Sequence, residues 1–506
     1  MSFSQIYCAA FEELKAKVVE IEVSFTRALP SFQITGLAGN AIQESRQRIQ
    51  SSLLANGFKF PPLKITINLS PSDLPKQGSF YDLPIALLIA LQDFADFNQI
   101  TNPNPIQWFV FGELGLDGRV KNTPAIYPLL FSLIGNLERN FCFILPKEAQ
   151  NIYSKIPKLK AYYAQTLQEA LEIIKNPPPL TCLCEDLPFL QTKIQGVNYY
   201  YSEDFPLDFS DIKGQERAKR AALISAIGFH NLLLEGSAGS GKSMIALRLP
   251  YILPPLKLEE ILEIAAIHGV LEISPFRPLR NPHNSASQAA ILGSAVAKNL
   301  KYGEIALAHL GILFFDELPH FPKNILESLR EPLENHYFSV SRLHAKITYP
   351  TNFLFVGAMN PCPCGNLLSV SKECRCNERE IKAYQNKLSD PFLDRIDLVI
   401  QMQEGGDFEH KVDSKTMQKQ VLEAFSFQKQ RGQKSFNARL NNEEMQMFCR
   451  LDKEEEEILQ RAVQHFGISL RQRDKILKVA RSIADLALSS KIIKSHLLEA
   501  LSYRRV

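Results

Sequence analysis

The chain has 506 residues, 45% of them apolar and 22% charged, with a formal net charge of only +3. That length calls for two or three domains, each able to bury its own core, and the charge balance excludes a global field aimed at nucleic acid, so any basic surface must be local. The N-terminus MSFSQIYCAAFEELKAK lacks a basic-then-apolar leader, and the most apolar runs, such as LPIALLIAL at 83–91, are too short to span a bilayer. The expectation is a cytoplasmic chain with no membrane partner, in a reducing compartment where structural disulfides are rare.

Residues 1–175 alternate apolar runs (VVEIEVSF, KITINLS, WFVFGEL, FCFILP) with helical patterns, one over 40–56 with Ile42, Ile49, Leu53 and Leu54 and one starting at Asp82. This reads as an α/β or α+β domain. Residues 176–206 are proline-rich and irregular, which predicts a linker. From 207 to 403 apolar strands alternate with helices at βα spacing, predicting a mostly parallel sheet with helices on both faces. Residues 404–506 read as helical, with Ile476, Leu477, Ala480, Ile483, Ala484, Ala487 and Leu488 at helix period.

The run NLLLEG at 231–236 is a buried-strand pattern, and Gly236, Ser237, Ala238, Gly239, Ser240, Gly241, Lys242 and Ser243 follow as GxxxxGKS before a helical MIALRLP. In this context the glycines let backbone N–H groups cradle phosphates, Lys242 supplies charge to the β/γ oxygens and Ser243 ligates Mg²⁺. Downstream, GILFFDE places Asp316 and Glu317 at a strand end, Asp316 to hold the Mg²⁺ and Glu317 to polarise the attacking water, so ATP hydrolysis is the expected reaction. The next such strand ends at Asn360, either a γ-phosphate sensor or a turn residue before Pro361. Arg395, in PFLDRID, is either an arginine finger acting on a neighbouring subunit in a ring, or a local partner of Asp394 or Asp397.

Four of the nine cysteines follow Asn360 as two Cys-x-Cys pairs, Cys362 with Cys364 and Cys374 with Cys376. Their count and pairing suit tetrahedral Zn²⁺, although the spacing is tighter than usual. Reduced thiols in a packed loop are the alternative. Cys182 and Cys184 stand too isolated to assign.

Together these residues resemble the AAA+ ATPases, specifically the magnesium-chelatase-like branch and its YifB/ComM group, whose competence member is a hexameric motor driving DNA branch migration during natural transformation. The likeness runs through FSDIKGQ at 209–215, RPLRNPH at 277–283, GEIALAH at 303–309, the Asp-Glu strand, AMNPCPCG at 358–365, LDRID at 393–397 and KVARSIAD at 478–485. It also covers TGLAGNAIQES at 35–45, residues 65–87 and GELGLDGRV at 112–120.

The resemblance implies an α/β chain of three parts. These are a Lon-protease-like (ribosomal S5 domain 2-like) domain at 1–175, an AAA+ P-loop core at 207–403 after the linker, and a C-terminal helical lid at 404–506. It implies ATP and Mg²⁺ as ligands, Ile212 and Gly214 beside adenine, Asn360 as sensor 1, Arg395 as the finger, and Arg471 as a sensor 2 arginine clamping the γ-phosphate in cis. The implied partners are a homo-hexamer, DNA, and recombination or competence proteins.

The N-terminal domain is expected to lack proteolysis, because the Lon nucleophile position falls on Phe80 and the lysine position near Tyr127, with Ser79 out of phase. Two departures from the family, His283-Asn284 and Gln472 to Lys475, are not expected to touch the ATP chemistry. DNA contacts would fall on two insertions, at Lys298 and Lys301 and at Arg342, His344 and Lys346, unless these are merely solvated charges. The competing function is a metal-chelatase-type ATPase chaperone subunit, although such subunits work with an integrin-like partner that this chain does not contain. An ATP-dependent protease is disfavoured by the missing nucleophile.

Overall fold

A computed structural model describes residues 5–12, 15–93, 107–134, 141–157, 159–180, 186–268, 273–296, 299–342, 345–369, 371–402 and 412–504. The chain divides into two compact units, residues 1–188 with 265–273, and residues 189–264 with 274–506.

The first unit is built on a mixed seven-stranded sheet in the order Ser31–Thr35, Lys64–Ser70, Lys15–Thr26, Gln5–Glu12, Gln107–Val110, Phe141–Pro146, Ala161–Ala164. The period-2 pattern of KITINLS buries Ile65, Ile67 and Leu69 on one face. The helix Asn40–Ala55 buries Ile42, Ile49 and Leu53 at helix period. The helix Asp82–Ala90 is buried at every position, as its all-round apolar sequence requires. Phe80 and Tyr127 are buried rings, and the Ser79 hydroxyl donates to the Glu113 carboxylate.

The second unit centres on a five-stranded sheet in the order Leu279–Arg280, Ile312–Phe315, Leu354–Met359, Leu232–Gly236, Leu398–Met402. Every neighbouring pair in it is parallel. The central strands Ile312–Phe315 and Leu354–Met359 are buried at each residue, which explains their unbroken apolar sequence. The helices Glu216–Gly228, Ser414–Gln430 and Leu470–Leu486 contribute to one buried core with the sheet, through Ile224, Val421 and Leu477 among others. No helix among the described residues is long and apolar enough to cross a membrane.

Two local expectations need correction. The stretch read as an irregular linker contains the strands Leu190–Ile194 and Val197–Tyr201, which pair as an antiparallel hairpin and add Leu256–Lys257 as a third strand. The turn is Gln195-Gly196, both at positive φ (48° and 82°), the conformation that suits a two-residue hairpin. Upstream prolines masked this signal. The final helical pattern also stops early: the helix ends at Leu486, and Leu488 turns into the left-handed region at φ 52° with its side chain half exposed.

Candidate active site

Parallel strands bring their C-terminal ends to one edge of the sheet, and that edge assembles the site. Leu232–Gly236 runs directly into the phosphate loop, which reverses through Gly239 (φ 81°) and Gly241 (φ 91°) before the short helix Lys242–Arg248. These φ values lie where a Cβ is strained, which is why the motif demands glycine there. The sensor strand Leu354–Met359 lies between the phosphate-loop strand and the acid strand Ile312–Phe315, so Asn360 emerges between the loop and the acids.

The Lys242 ammonium is almost fully buried and donates to the Gly236 carbonyl (2.7 Å), the Ser237 carbonyl (2.7 Å) and Asn360 Oδ1 (3.2 Å). Burial pulls its pKa below the ordinary lysine value, with the Asp316 charge acting in the opposite sense. The Ser243 hydroxyl donates to Asp316 Oδ2 at 2.7 Å. Glu317 adopts the left-handed conformation at φ 51°, which turns its carboxylate away from the strand line, and Asn284 Nδ2 donates to it at 3.3 Å.

This donor set fits a nucleotide triphosphate with a divalent cation. The hydroxyls of Ser237 and Ser240 are buried in the loop without a hydrogen-bond partner among the described residues, a cost that phosphate oxygens would offset. The hydroxyl of Ser243 beside the carboxylate of Asp316 is an all-oxygen pair suited to Mg²⁺. In the 209–215 segment, where the resemblance puts the adenine contacts, Ile212 is buried, Gly214 and Gln215 are both at positive φ, and the Gln215 amide donates to the Ser240 carbonyl at 3.2 Å. That bond ties the 209–215 segment to the phosphate loop.

The arginines lie elsewhere. The Arg395 carbonyl accepts from Asn231 Nδ2 at 2.8 Å, and Asn231 stands just before the phosphate-loop strand. Arg395 therefore sits at the opposite edge of the sheet from the phosphate loop, about 13 Å away by strand rise alone. Its guanidinium pairs with neither Asp394 nor Asp397 but with Glu334, at 2.5 Å. Arg471 pairs with the same Glu334, at 3.0 Å. The expectation that Arg471 clamps phosphate in cis is corrected by this placement, because the start of its helix is anchored at the far edge through Lys475, which reaches Asp397 Oδ1 at 3.2 Å.

Of the two departures from the family pattern, one meets the paired acids and the other lies at the far end of the strands. Asn284 touches Glu317, and Gln472 reaches Asp394 Oδ1 at 3.4 Å beside Arg395. Neither contact is legible in the sequence, since each joins residues far apart in the chain, and only the departure from the family pattern marks Asn284 and Gln472 there. Glu334 carried no signal at all, being an ordinary glutamate near the end of the short helix Arg330–Asn335.

The four thiols of Cys362, Cys364, Cys374 and Cys376 lie within 4.8 Å of one another, so the cluster could hold a metal ion. Three of their Sγ separations are 3.4, 3.6 and 3.7 Å. Tetrahedral sulfurs about 2.3 Å from a zinc ion would stand about 3.8 Å apart, whereas a disulfide would need about 2 Å. Backbone N–H groups of Asn366 and Arg375 pull the Cys364 thiol down to about 6. Cys374 and Cys376 are instead shifted upward, against their own backbone hydrogen bonds, by desolvation and the crowding of neighbouring thiols, so the cluster holds about one thiolate readily until a cation joins it. Gly365 (φ 81°) turns this loop back so that a side chain there would stand 3.9 Å from the Ala238 nitrogen and the Asn360 amide. The thiol cluster is thus built directly behind the sensor and the phosphate loop. Cys182 and Cys184 lie outside the described residues.

Of the basic candidates, Lys298 and His344 lie outside the described residues, and for Lys301, Arg342 and Lys346 only the backbone is described. Both insertions are antiparallel hairpins, Ser294–Val296 with Asn299–Lys301 and Tyr337–Arg342 with Ala345–Pro350. Arg342 pairs with Ala345, the register position nearest the turn, and Ser341 with Lys346.

Sequence profiles of magnesium chelatase match in three segments: subunit ChlI of Mg-chelatase over residues 21–149, magnesium chelatase subunit ChlI over 208–409, and the ChlI C-terminal domain over 411–504. The YifB protein of Salmonella typhimurium is 38% identical over 100% of this chain and 98% of its own length. The competence protein ComM of Haemophilus influenzae is 35% identical with the same coverage. The magnesium-chelatase 38 kDa subunit of Cereibacter sphaeroides is 27% identical over 31% of this chain and 53% of its own. A phosphate loop, paired acids and sensor strand on one edge of a parallel sheet, with this kinship over the whole length, make the chain a magnesium-chelatase-like AAA+-type ATPase of the YifB/ComM family.

Proposed function

We propose that this protein is a ring-forming motor, a homo-hexamer, that hydrolyses MgATP between neighbouring copies and uses the cycle to move branched DNA, in support of recombination or natural transformation. The observation that carries the reading is the separation of the site into two halves. Lys242, Ser243, Asp316, Glu317 and Asn360 stand at one end of the strands, while Arg395 and Arg471 meet Glu334 toward the other, away from their own phosphate loop, which is the separation a neighbour-supplied arginine calls for.

In this reading Lys242 and the loop N–H groups hold the β- and γ-phosphates, and Ser243 and Asp316 hold Mg²⁺, which would neutralise developing phosphate charge. Glu317 takes a proton from the attacking water as its oxygen bonds to the γ-phosphorus. The bond to the ADP oxygen breaks, and Arg395 from the next copy stabilises the charge on the transferring group. Asn360 orients the γ-phosphate side of the site. Zinc held by the four cysteines would be structural, ordering the loop behind Asn360. The N-terminal domain, Lon-like in its motifs but with buried rings at the Phe80 and Tyr127 positions, would serve assembly or DNA contact instead of proteolysis.

ChlI profiles match all three parts of the chain, so the family models serve a DNA motor and a chelatase subunit alike. DNA is favoured because pairwise identity to the competence protein is 35% over 100% of the chain, whereas the magnesium-chelatase 38 kDa subunit aligns over 31% of it at 27%. The two insertions that carry the basic candidates form hairpins, the loop-borne setting that phosphate contacts call for. The test is dissociation of a labelled Holliday junction by purified protein with MgATP, beside Glu317→Gln. Junction dissociation that needs Glu317, and ATPase activity stimulated by DNA, are expected. Absence of both overturns the DNA reading, and ATPase stimulated instead by the integrin-like partner of a metal chelatase would replace it.

A further inference from the structure

We propose that Glu334 is the positioning residue that holds Arg395 and Arg471 together as one cationic pair, ready for the nucleotide phosphates of a neighbouring copy. The inference deepens the intersubunit site proposed above and rests on it.

The geometry is specific. Each oxygen of the Glu334 carboxylate takes one guanidinium, Oε2 from Arg395 Nη2 at 2.5 Å and Oε1 from Arg471 Nη2 at 3.0 Å. The two arginines come from unrelated elements, Arg395 from the turn before the strand Leu398–Met402 and Arg471 from the first turn of the helix Leu470–Leu486. Two guanidinium groups brought to one point repel each other, so a carboxylate between them is what allows both to be presented side by side. The Arg395 hydrogen bond, opposed by desolvation and then reinforced by the Arg471 charge, holds the Glu334 carboxyl below the usual carboxylate range.

The preceding short helix, Lys323–Ser328, braces the arginine turn a second time. Glu327 Oε1 accepts from the Ser389 hydroxyl at 2.6 Å, and Ser389 caps the turn Asp390–Leu393 that leads into Arg395. Arg395 still has donors to offer. Its Nη1 donates to the Pro391 carbonyl at 2.5 Å and its Nη2 to Glu334, so each Nη keeps a second N–H, while Nε is buried without a partner among the described residues and faces no incoming ligand. A planar guanidinium with five N–H groups can keep its glutamate and still donate to a phosphate. Glu334 therefore acts through the arginines and touches no reacting atom.

The test uses full-length protein and steady-state ATPase at saturating MgATP. Glu334→Ala should turn over ATP about tenfold or more slowly than the parent, with Glu334→Asp recovering part of the loss and Glu334→Gln, which keeps the shape, behaving like alanine. Mixing Glu334→Ala with Lys242→Ala is the readout that a merely structural defect would not move. Each is impaired alone, but the first brings an intact phosphate loop and the second an intact Glu334–arginine pair, so the mixture should exceed both, with roughly a quarter of randomly mixed interfaces complete.

Wild-type turnover by Glu334→Gln, or a mixture no more active than its parts, overturns the role of Glu334. The intersubunit site itself is judged separately by mixing Arg395→Ala with Lys242→Ala: no recovery there removes the neighbour-supplied arginine, whatever Glu334 does.

Discussion

Replacing Asn360 by alanine removes the side-chain oxygen that accepts from the Lys242 ammonium at 3.2 Å, and leaves the other two lysine donors on the Gly236 and Ser237 carbonyls. A hydrogen bond to a charged group contributes about 1.5–3 kcal/mol. If that bond is made or strengthened while phosphate charge develops, its loss appears in the barrier, and at about 1.4 kcal/mol per decade turnover should fall roughly 10- to 150-fold. Binding should suffer less, because Lys242, Ser243 and the loop N–H groups remain. The assay pairs phosphate release at saturating MgATP with equilibrium binding of a fluorescent nucleotide. Turnover within about twofold of the parent, below the smallest effect a charged hydrogen bond is expected to have, would refute the claim that Asn360 works with Lys242. A loss confined to binding would place it in the ground state instead.

Three other outcomes follow from the same geometry. Glu317→Gln should lower turnover by about 10²–10⁴ while ATP binding persists, since an amide cannot take the proton from water; binding lost in parallel would show that Glu317 supports the fold of the site. Elemental analysis should find zinc that disappears in the double variant Cys374→Ser, Cys376→Ser, and removing it should lower ATPase activity along with melting temperature, because Gly365 stands against Asn360 and Ala238; protein purified without metal yet fully active would dismiss the clip. Burial, then the charges of Arg439 and Lys478, pushes the His336 imidazole down to about 3, so the unfolded chain, at about 6.5, binds the extra proton. The stability it contributes is present above about pH 6.5 and is lost as pH falls toward 3, with a slope approaching 1.4 kcal/mol per pH unit. His336→Asn should flatten that slope in urea unfolding between pH 7 and 5, and an unchanged slope would show that His336 does not titrate this way.

Much of the chemistry was legible because it is local. A phosphate loop needs its glycines, Lys242 and Ser243 contiguous, and the acids and Asn360 must sit at strand ends, where an apolar run stops in a polar residue. The parallel core and the four-cysteine pattern follow from equally short-range signals, period and count. The hairpin at 190–201 escaped because its turn signal, Gln195-Gly196, is brief and stands near conspicuous prolines.

What the sequence could not determine is which distant residues meet. Asn284 lies 33 positions from Glu317, and Glu334 lies 61 from Arg395, so no window of sequence holds either pair. The family resemblance alone made Arg471 a phosphate clamp for its own site. The register of Leu398–Met402 beside Leu232–Gly236, and the anchoring of Lys475 at Asp397, carry it to the other edge of the sheet. Residue types decide what chemistry a chain can do; the packing of its elements decides whose nucleotide each residue can reach, because charged groups act over a few ångströms and only the folded sheet sets those distances.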